Sequence, residues 1–307
     1  LKRRTLKRRT WLGFAAAFLI SLLLTGGFVD IGKPNAAIAQ ITSRPPTSRP
    51  PIDITRLRPA APANLMAGSL CANNLATAIE QIIKRPLFAT ARWGIEVESV
   101  SPPATLYSRD AGNFLVPASN VKLLTTSAAL QMLYYSPQQQ PAVAARFGII
   151  NRDSDNDYAE ALLNEIGGTE SVKSALTSLG IDSRTYRQID GSGLSRSNLA
   201  EPSMIVKLLK VMQSARGSDL FYNSLAVAGV NGTLARRFVN TPVQGKVHGK
   251  TGTLNGVRAL SGYLDHPDYD KILFSIMVNQ SDQGDDGESL KAAIDQVVLQ
   301  LGRLKNC

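Results

Sequence analysis

Histidine and cysteine are scarce in this 307-residue chain, which has two of each. His248 and His266 stand far in sequence from Cys71 and Cys307. These four residues have no metal-ligand spacing, so neither a metal nor another cofactor is expected. Acids are nearly missing from the front. Residues 1–70 hold eleven Lys/Arg against Asp30 and Asp53 alone, a charge of +9, whereas residues 71–307 carry only +1. The headline charge of +10 therefore describes the front of the chain. The nearly neutral body argues against a nucleic-acid-binding domain. A hydrophobic content of 44% excludes a disordered chain.

Charge is absent again from Trp11 to Val29, directly after the basic opening LKRRTLKRRT. A basic stretch before an apolar one is the pattern of an export signal, and Ala37-Ile38-Ala39 fits a small-x-small cleavage site. The alternative is an uncleaved membrane anchor, since the run is close to the roughly 20 residues a helix needs to span a bilayer. We read residues 1–39 as signal peptide or anchor. Both readings place the remainder outside the cytoplasm, in the periplasm or cell envelope, held to the membrane if the segment stays uncleaved. Residues 40–66 repeat Thr-Ser-Arg-Pro-Pro at 42–46 and 47–51, a composition for an extended spacer. Residues 67–307 form the folded body. Cys71 and Cys307 bracket it, and in an oxidising compartment such a pair can close a disulfide. Two unpaired thiols are the alternative.

In the body, Leu75, Ala78, Ile79, Ile82 and Ile83 lie on one helical face. Arg92–Val100 and Thr105–Arg109 read as strands. Helices are expected over 119–134, 142–151, 157–166, 169–179 and 203–215, with SPQQQP at 136–141 as a break. Val247–Leu254 and Val257–Leu264 flank Asn255-Gly256, a type I′ hairpin signal. Ile272–Val278 has strand character, and a final helix presents Leu290, Ile294, Val297 and Leu301 on one face. Strands at both ends with helices between give an α+β expectation: one antiparallel sheet built from both termini, flanked by helices, with an all-helical subdomain inserted.

Three short segments carry candidate chemistry. In Pro117-Ala118-Ser119-Asn120-Val121-Lys122, a serine that opens a helix has Lys122 one turn on, on the same face. A serine hydroxyl needs a base to become a nucleophile. Burial would lower the lysine pKa until the neutral amine serves. The second segment is Ser154-Asp155-Asn156, and the third is Lys250-Thr251-Gly252-Thr253, at the end of a strand. Any one of these occurs by chance, but the ordered set is specific. It resembles the penicillin-recognising serine enzymes. Asp190-Gly191-Ser192-Gly193-Leu194-Ser195-Arg196 narrows the resemblance to the class C low-molecular-mass penicillin-binding proteins, the D-alanyl-D-alanine carboxypeptidase/endopeptidase family. That segment itself reads as a loop capping the helix at 203–215.

The resemblance implies the serine β-lactamase/DD-peptidase-like fold and a set of roles. Ser119 attacks the D-Ala-D-Ala carbonyl and Lys122 takes its proton. Ser154 relays a proton to the leaving amine, aided by Lys250. Asn156 holds the substrate amide and orients Lys122. Thr251 and Thr253 bind the terminal carboxylate, and Gly252 leaves room for substrate along the strand edge. The N–H groups of Ser119 and Thr253 form the oxyanion hole. The implied substrate is a peptidoglycan stem peptide, with β-lactams as covalent inhibitors. One departure is large. Ser119 and Ser154 are only 35 residues apart, where most of the family carries long inserted domains. Two other readings remain: a β-lactamase, and a peptidoglycan-binding relic. Glu160-Ala161-Leu162-Leu163-Asn164 matches the deacylating element of class A β-lactamases. Counted helically from Ser154, however, Glu160 lies roughly 9 Å further along the axis and points away. His248 shares a strand face with Lys250 and reads as an ordinary strand histidine, and His266 as a turn residue.

Overall fold

The computed structural model describes residues 68–133, 135–280 and 287–307. The expected leader and spacer at 1–39 and 40–66 lie outside the described residues. Among the described residues, no helix is long and apolar enough to cross a membrane. The elements run β1 (Leu70–Cys71), α1 (Ala72–Ile83), β2 (Arg92–Ser99), β3 (Ala104–Arg109), α2 (Val121–Met132), α3 (Gln140–Asn151), α4 (Asn156–Glu165), α5 (Gly168–Ser178), β4 (Tyr186–Arg187), β5 (Leu199–Ala200), α6 (Pro202–Met212), α7 (Ser218–Asn223), β6 (Ala226–Val227), β7 (Val247–Leu254), β8 (Val257–His266), β9 (Asp270–Asn279), α8 (Glu288–Leu301) and β10 (Leu304–Lys305).

The main sheet has six antiparallel strands in the order β3-β2-β9-β8-β7-β6. Both its faces are covered. Side chains alternate across a strand, so Ile272, Phe274, Ile276 and Val278 of β9 join a core with Leu75, Ile79, Leu290 and Ile294 of α1 and α8. Leu273 and Met277 join the opposite core, with Leu208 of α6 and Leu123 of α2. That double burial explains why Ile272–Val278 is a continuous apolar run rather than an alternating one. The chain thus has the expected α+β build, its sheet drawn from both ends and its helical subdomain between.

Helix α2 is buried on every side from Val121 to Leu130, which makes it the axis of the helical subdomain. Two of its buried threonines accept hydrogen bonds from neighbouring segments, whereas the buried Ser127 hydroxyl has no hydrogen-bond partner among the described residues. Thr125 accepts from Gln188 at 2.9 Å and Thr126 from Asn151 at 3.2 Å. In a separate two-stranded sheet β1 pairs with β10, and Cys71 and Cys307 form a disulfide with Cα atoms 5.5 Å apart.

Two local expectations need correction. The β7–β8 hairpin does turn on Asn255-Gly256, but only Gly256 has positive φ, at 68°. A type I′ turn requires positive φ at both positions. The Asn255 carbonyl instead accepts from the Arg196 guanidinium, a partner that local turn preference does not contain. The segment at 190–199 does not cap α6 either. Glu201 is that helix's cap residue, without a side-chain cap bond.

Candidate active site

Ser119 lies in a single 3-10 turn, Ala118–Asn120, that leads directly into α2. Ala118 has a φ of 48°, a conformation that costs an alanine about 1–2 kcal/mol. The surrounding packing holds it there. A Cβ on Gly252 would lie 2.6 Å from the Pro117 oxygen and 3.3 Å from the Ala118 Cβ. Strand β7 therefore presses against the serine turn, and any side chain at 252 would push them apart. Below the turn, Asn120 donates to Ser261 of β8 at 2.8 Å.

Helix α4 supplies the second wall. Asp155 caps it by accepting from the Tyr158 amide at 2.9 Å. The cap fixes Asn156 as the first helical residue, and Ser154 precedes it with a φ of 65°. Non-glycine residues in that region are uncommon and cluster at functional sites.

Lys122 is fully buried and its Nζ reaches three oxygens: Ser119 Oγ at 3.0 Å, Asn156 Oδ1 at 2.8 Å and the Ser192 carbonyl at 2.6 Å. Two of these can only accept. When the amine is neutral, its two N–H groups go to Asn156 and Ser192, and its lone pair faces the Ser119 hydroxyl. Burial lowers the Lys122 pKa from 10.5 to about 8, against the opposing pull of Asp190, Glu160 and Asp155. A deprotonatable amine aimed at a half-buried serine is the arrangement nucleophilic catalysis needs.

Lys250 is also fully buried, and donates to Ser154 Oγ at 2.8 Å and to the Thr251 carbonyl at 2.9 Å. Its pKa falls well below the usual lysine value, first through burial and then through the Lys122 charge. Thr251 is nearly buried and its hydroxyl donates to Thr233 at 2.9 Å, while Thr253 is exposed. Thus Ser119, Lys122, Ser154, Asn156, Lys250 and Thr251 come together as two hydrogen-bonded chains, each ending on a serine.

Three contributors were not legible beforehand. Thr233 had no local signal. The Ser192 carbonyl belongs to a segment assigned to a helix cap. Glu160, expected to point away, accepts from the Ser192 amide at 2.9 Å. The helical count began at Ser154, which is not helical. Counted from Asn156, Glu160 is four residues on and shares its face. His248 is engaged with an aromatic ring rather than with the site residues' hydrogen-bonded chains. It stacks on Tyr222 at 4.2 Å between centroids, and burial lowers its pKa. His266 ends β8.

Solved structures share this fold. Penicillin binding protein 4 from Haemophilus influenzae has a TM-score of 0.62 at 14% identity, covering 74% of this chain and 98% of that one. A class A β-lactamase from Bacteroides cellulosilyticus has a TM-score of 0.59 at 16% identity, covering 76% and 98%. Sequence relatives include a penicillin-sensitive carboxypeptidase A of Dictyostelium discoideum, 34% identical over 48% of this chain and 32% of its own length. A D-alanyl-D-alanine carboxypeptidase of Actinomadura sp. is 38% identical over 48% of this chain and 30% of its own length. The chain spans about a third of the length of these relatives. The D-Ala-D-Ala carboxypeptidase 3 (S13) family profile matches residues 75–140 and 137–301, two segments that meet at the SPQQQP break. That match covers most of the body and more than half of the whole sequence, and the chain belongs to the D-Ala-D-Ala carboxypeptidase 3 (S13) family.

Proposed function

We propose that this chain is a serine D-Ala-D-Ala carboxypeptidase, with DD-endopeptidase activity on the same bond type, acting on peptidoglycan stem peptides outside the cytoplasm. The observation that carries the reading is the Lys122 amine, held by two obligate acceptors with its third direction on Ser119 Oγ. Ser119 attacks the penultimate D-Ala carbonyl as its proton passes to Lys122. The Ser119 and Thr253 amides hold the oxyanion. The proton taken by Lys122 is then passed through the Ser154 hydroxyl, supported by Lys250, to the leaving D-Ala amine, which leaves Lys122 neutral and Ser154 a hydroxyl again. Water then cleaves the acyl-serine ester, releases the shortened peptide and restores Ser119. Asn156 also holds the substrate amide. Thr251 and Thr253 receive the terminal carboxylate beside Lys250. β-Lactams, whose amide mimics the scissile bond, acylate the same serine.

The N-terminal segment 1–39 exports the body into the periplasm or cell envelope, and the spacer 40–66 separates the two. Glu160 is engaged with backbone amides of the 190–199 loop, which disfavours a β-lactamase-type deacylating base. Labelled penicillin tests the reading. We expect a long-lived adduct on Ser119, absent in Ser119→Ala, together with D-Ala release from a D-Ala-D-Ala peptide. Rapid drug turnover would make the chain a β-lactamase, and no adduct would make it a relic. Labelling of Ser119→Ala would refute the assigned nucleophile.

A further inference from the structure

We propose that Glu160 is a positioning residue of the acylation step: through the Gly191 and Ser192 amides it holds the Ser192 carbonyl against Lys122, and so keeps the lysine lone pair on Ser119. The proposal rests on the acyl-transfer reading above.

Helix α4 offers two oxygen-bearing side chains one turn apart on the same face. Asn156 reaches Lys122 directly, at 2.8 Å. Glu160 reaches it through the loop. One carboxylate oxygen accepts from Gly191 at 3.1 Å and Ser192 at 2.9 Å, and the other from Gly191 at 3.0 Å. Bonds to an ionised acceptor are stronger than neutral ones. The loop lies directly on the helix, since a Cβ at Gly191 would come within 2.6 Å of the Ala159 oxygen. At its other end the loop wedges against the serine turn. Gly193 has a φ of 89°, and a Cβ there would come within 2.1 Å of the Ala118 oxygen.

The Ser192 carbonyl sits between these two supports. It shares a peptide plane with the Gly193 amide, which donates to Asp190 at 2.7 Å. One residue back, the Ser192 amide is held by Glu160. The plane is planar and trans, so fixing the amides fixes where the carbonyl points. It points at Lys122 Nζ, at 2.6 Å the shortest of that amine's three contacts. Without this acceptor, one N–H of the neutral amine has no fixed partner. The lone pair then loses its direction, and proton transfer is sensitive to such geometry.

The test follows labelled-penicillin acylation of wild type, Glu160→Gln and Glu160→Ala from about pH 5 to 10, with thermal melts and adduct lifetimes. The charged groups facing Lys122 are Glu160 and Asp155 from α4, Asp190 from the loop and Lys250 from β7. Removing the Glu160 charge removes one influence that favours the ammonium, so the acid limb of both variants moves to lower pH. Glu160→Ala acylates roughly tenfold or more slowly on the plateau, because two amides lose their acceptor. Glu160→Gln keeps one acceptor oxygen and loses less. Adduct lifetime is unchanged. Should Glu160→Ala not fold, the limb shift in Glu160→Gln still decides. A Glu160→Gln profile superimposed on wild type would overturn the proposal. So would a rate loss that tracks lower thermal stability with the limb unmoved, or a longer-lived adduct in Glu160→Gln. If wild type itself is not labelled, the acyl-transfer reading fails instead.

Discussion

The acylation rate should depend on pH through Lys122. Its amine is buried with three neutral oxygens and has a pKa of about 8 instead of 10.5. At pH 7 a lysine with pKa about 8 is neutral in roughly one molecule in ten, against about one in 3,000 for an unperturbed lysine. Burial therefore raises the concentration of active base by about 300-fold. Acylation of Ser119 by labelled penicillin, followed by rapid quench, should rise about tenfold per pH unit up to pH 7. Its half-maximum should fall near pH 8, where half the Lys122 amine is neutral. Lys122→Met, which keeps the volume and removes the base, should lower the plateau by roughly 10²–10⁴-fold. A half-maximum below about pH 6 would point to a carboxylate or histidine base and refute the argument. A rate still climbing tenfold per unit beyond about pH 10 would mean that Lys122 is not perturbed.

The same shift has a consequence for stability. Between about pH 8 and 10.5 the unfolded chain holds more protons on Lys122 than the folded one, so this residue's contribution improves as pH rises. The burial cost is fully present below pH 8 and amounts to about 3 kcal/mol. Urea unfolding should show the stability of Lys122→Met relative to wild type falling by about that amount across this window, and a pH-independent difference would contradict it. Lys250 predicts a substrate effect. It is buried beside neutral oxygens, so an incoming carboxylate supplies its countercharge. A peptide with the terminal carboxylate amidated should acylate Ser119 at least roughly tenfold more slowly, measured as kcat/KM. The Cys71–Cys307 bridge closes a sequence separation of 236 residues. Cys307→Ser should lose about 3–5 kcal/mol in urea unfolding. Its acylation rate at low temperature should stay unchanged, because the bridge ties β1 to β10 and touches no site residue.

Much of the fold was legible because long elements repeat their pattern many times. Helices α1 and α8 and strand β2 lie where periodicity set them, β7 and β8 flank the Asn255-Gly256 turn signal, and β9 lies where the continuous apolar run set it. Helix α7 has six residues and strand β6 has two, too short for a period to show. Their existence depends on neighbours: β6 forms because β7 offers it an edge. The Asn255-Gly256 turn shows the same limit. Its position follows from the dipeptide, but the orientation of its central peptide follows from Arg196, 59 residues away in sequence.

The site divides along a similar line. Ser119, Lys122, Ser154, Asn156 and Lys250 were legible because their chemistry resides in side chains, and side-chain identity is written in the sequence. The Ser192 carbonyl was not. Every residue owns a carbonyl, and only the fold decides which one meets a lysine. Glu160 was visible as a carboxylate, yet its place depended on where α4 begins. Ser154 lies before the Asp155 cap with a φ of 65°, outside the helix, so a two-residue difference in origin moves Glu160 from the far side of the helix to the face of Asn156. The strained backbone that presents Ser154 to Lys250 thus also decides what Glu160 can reach. A motif match to a deacylating glutamate carries no such information. Here the backbone amides of Gly191 and Ser192 occupy that carboxylate, and tie it to the loop whose Ser192 carbonyl accepts from Lys122.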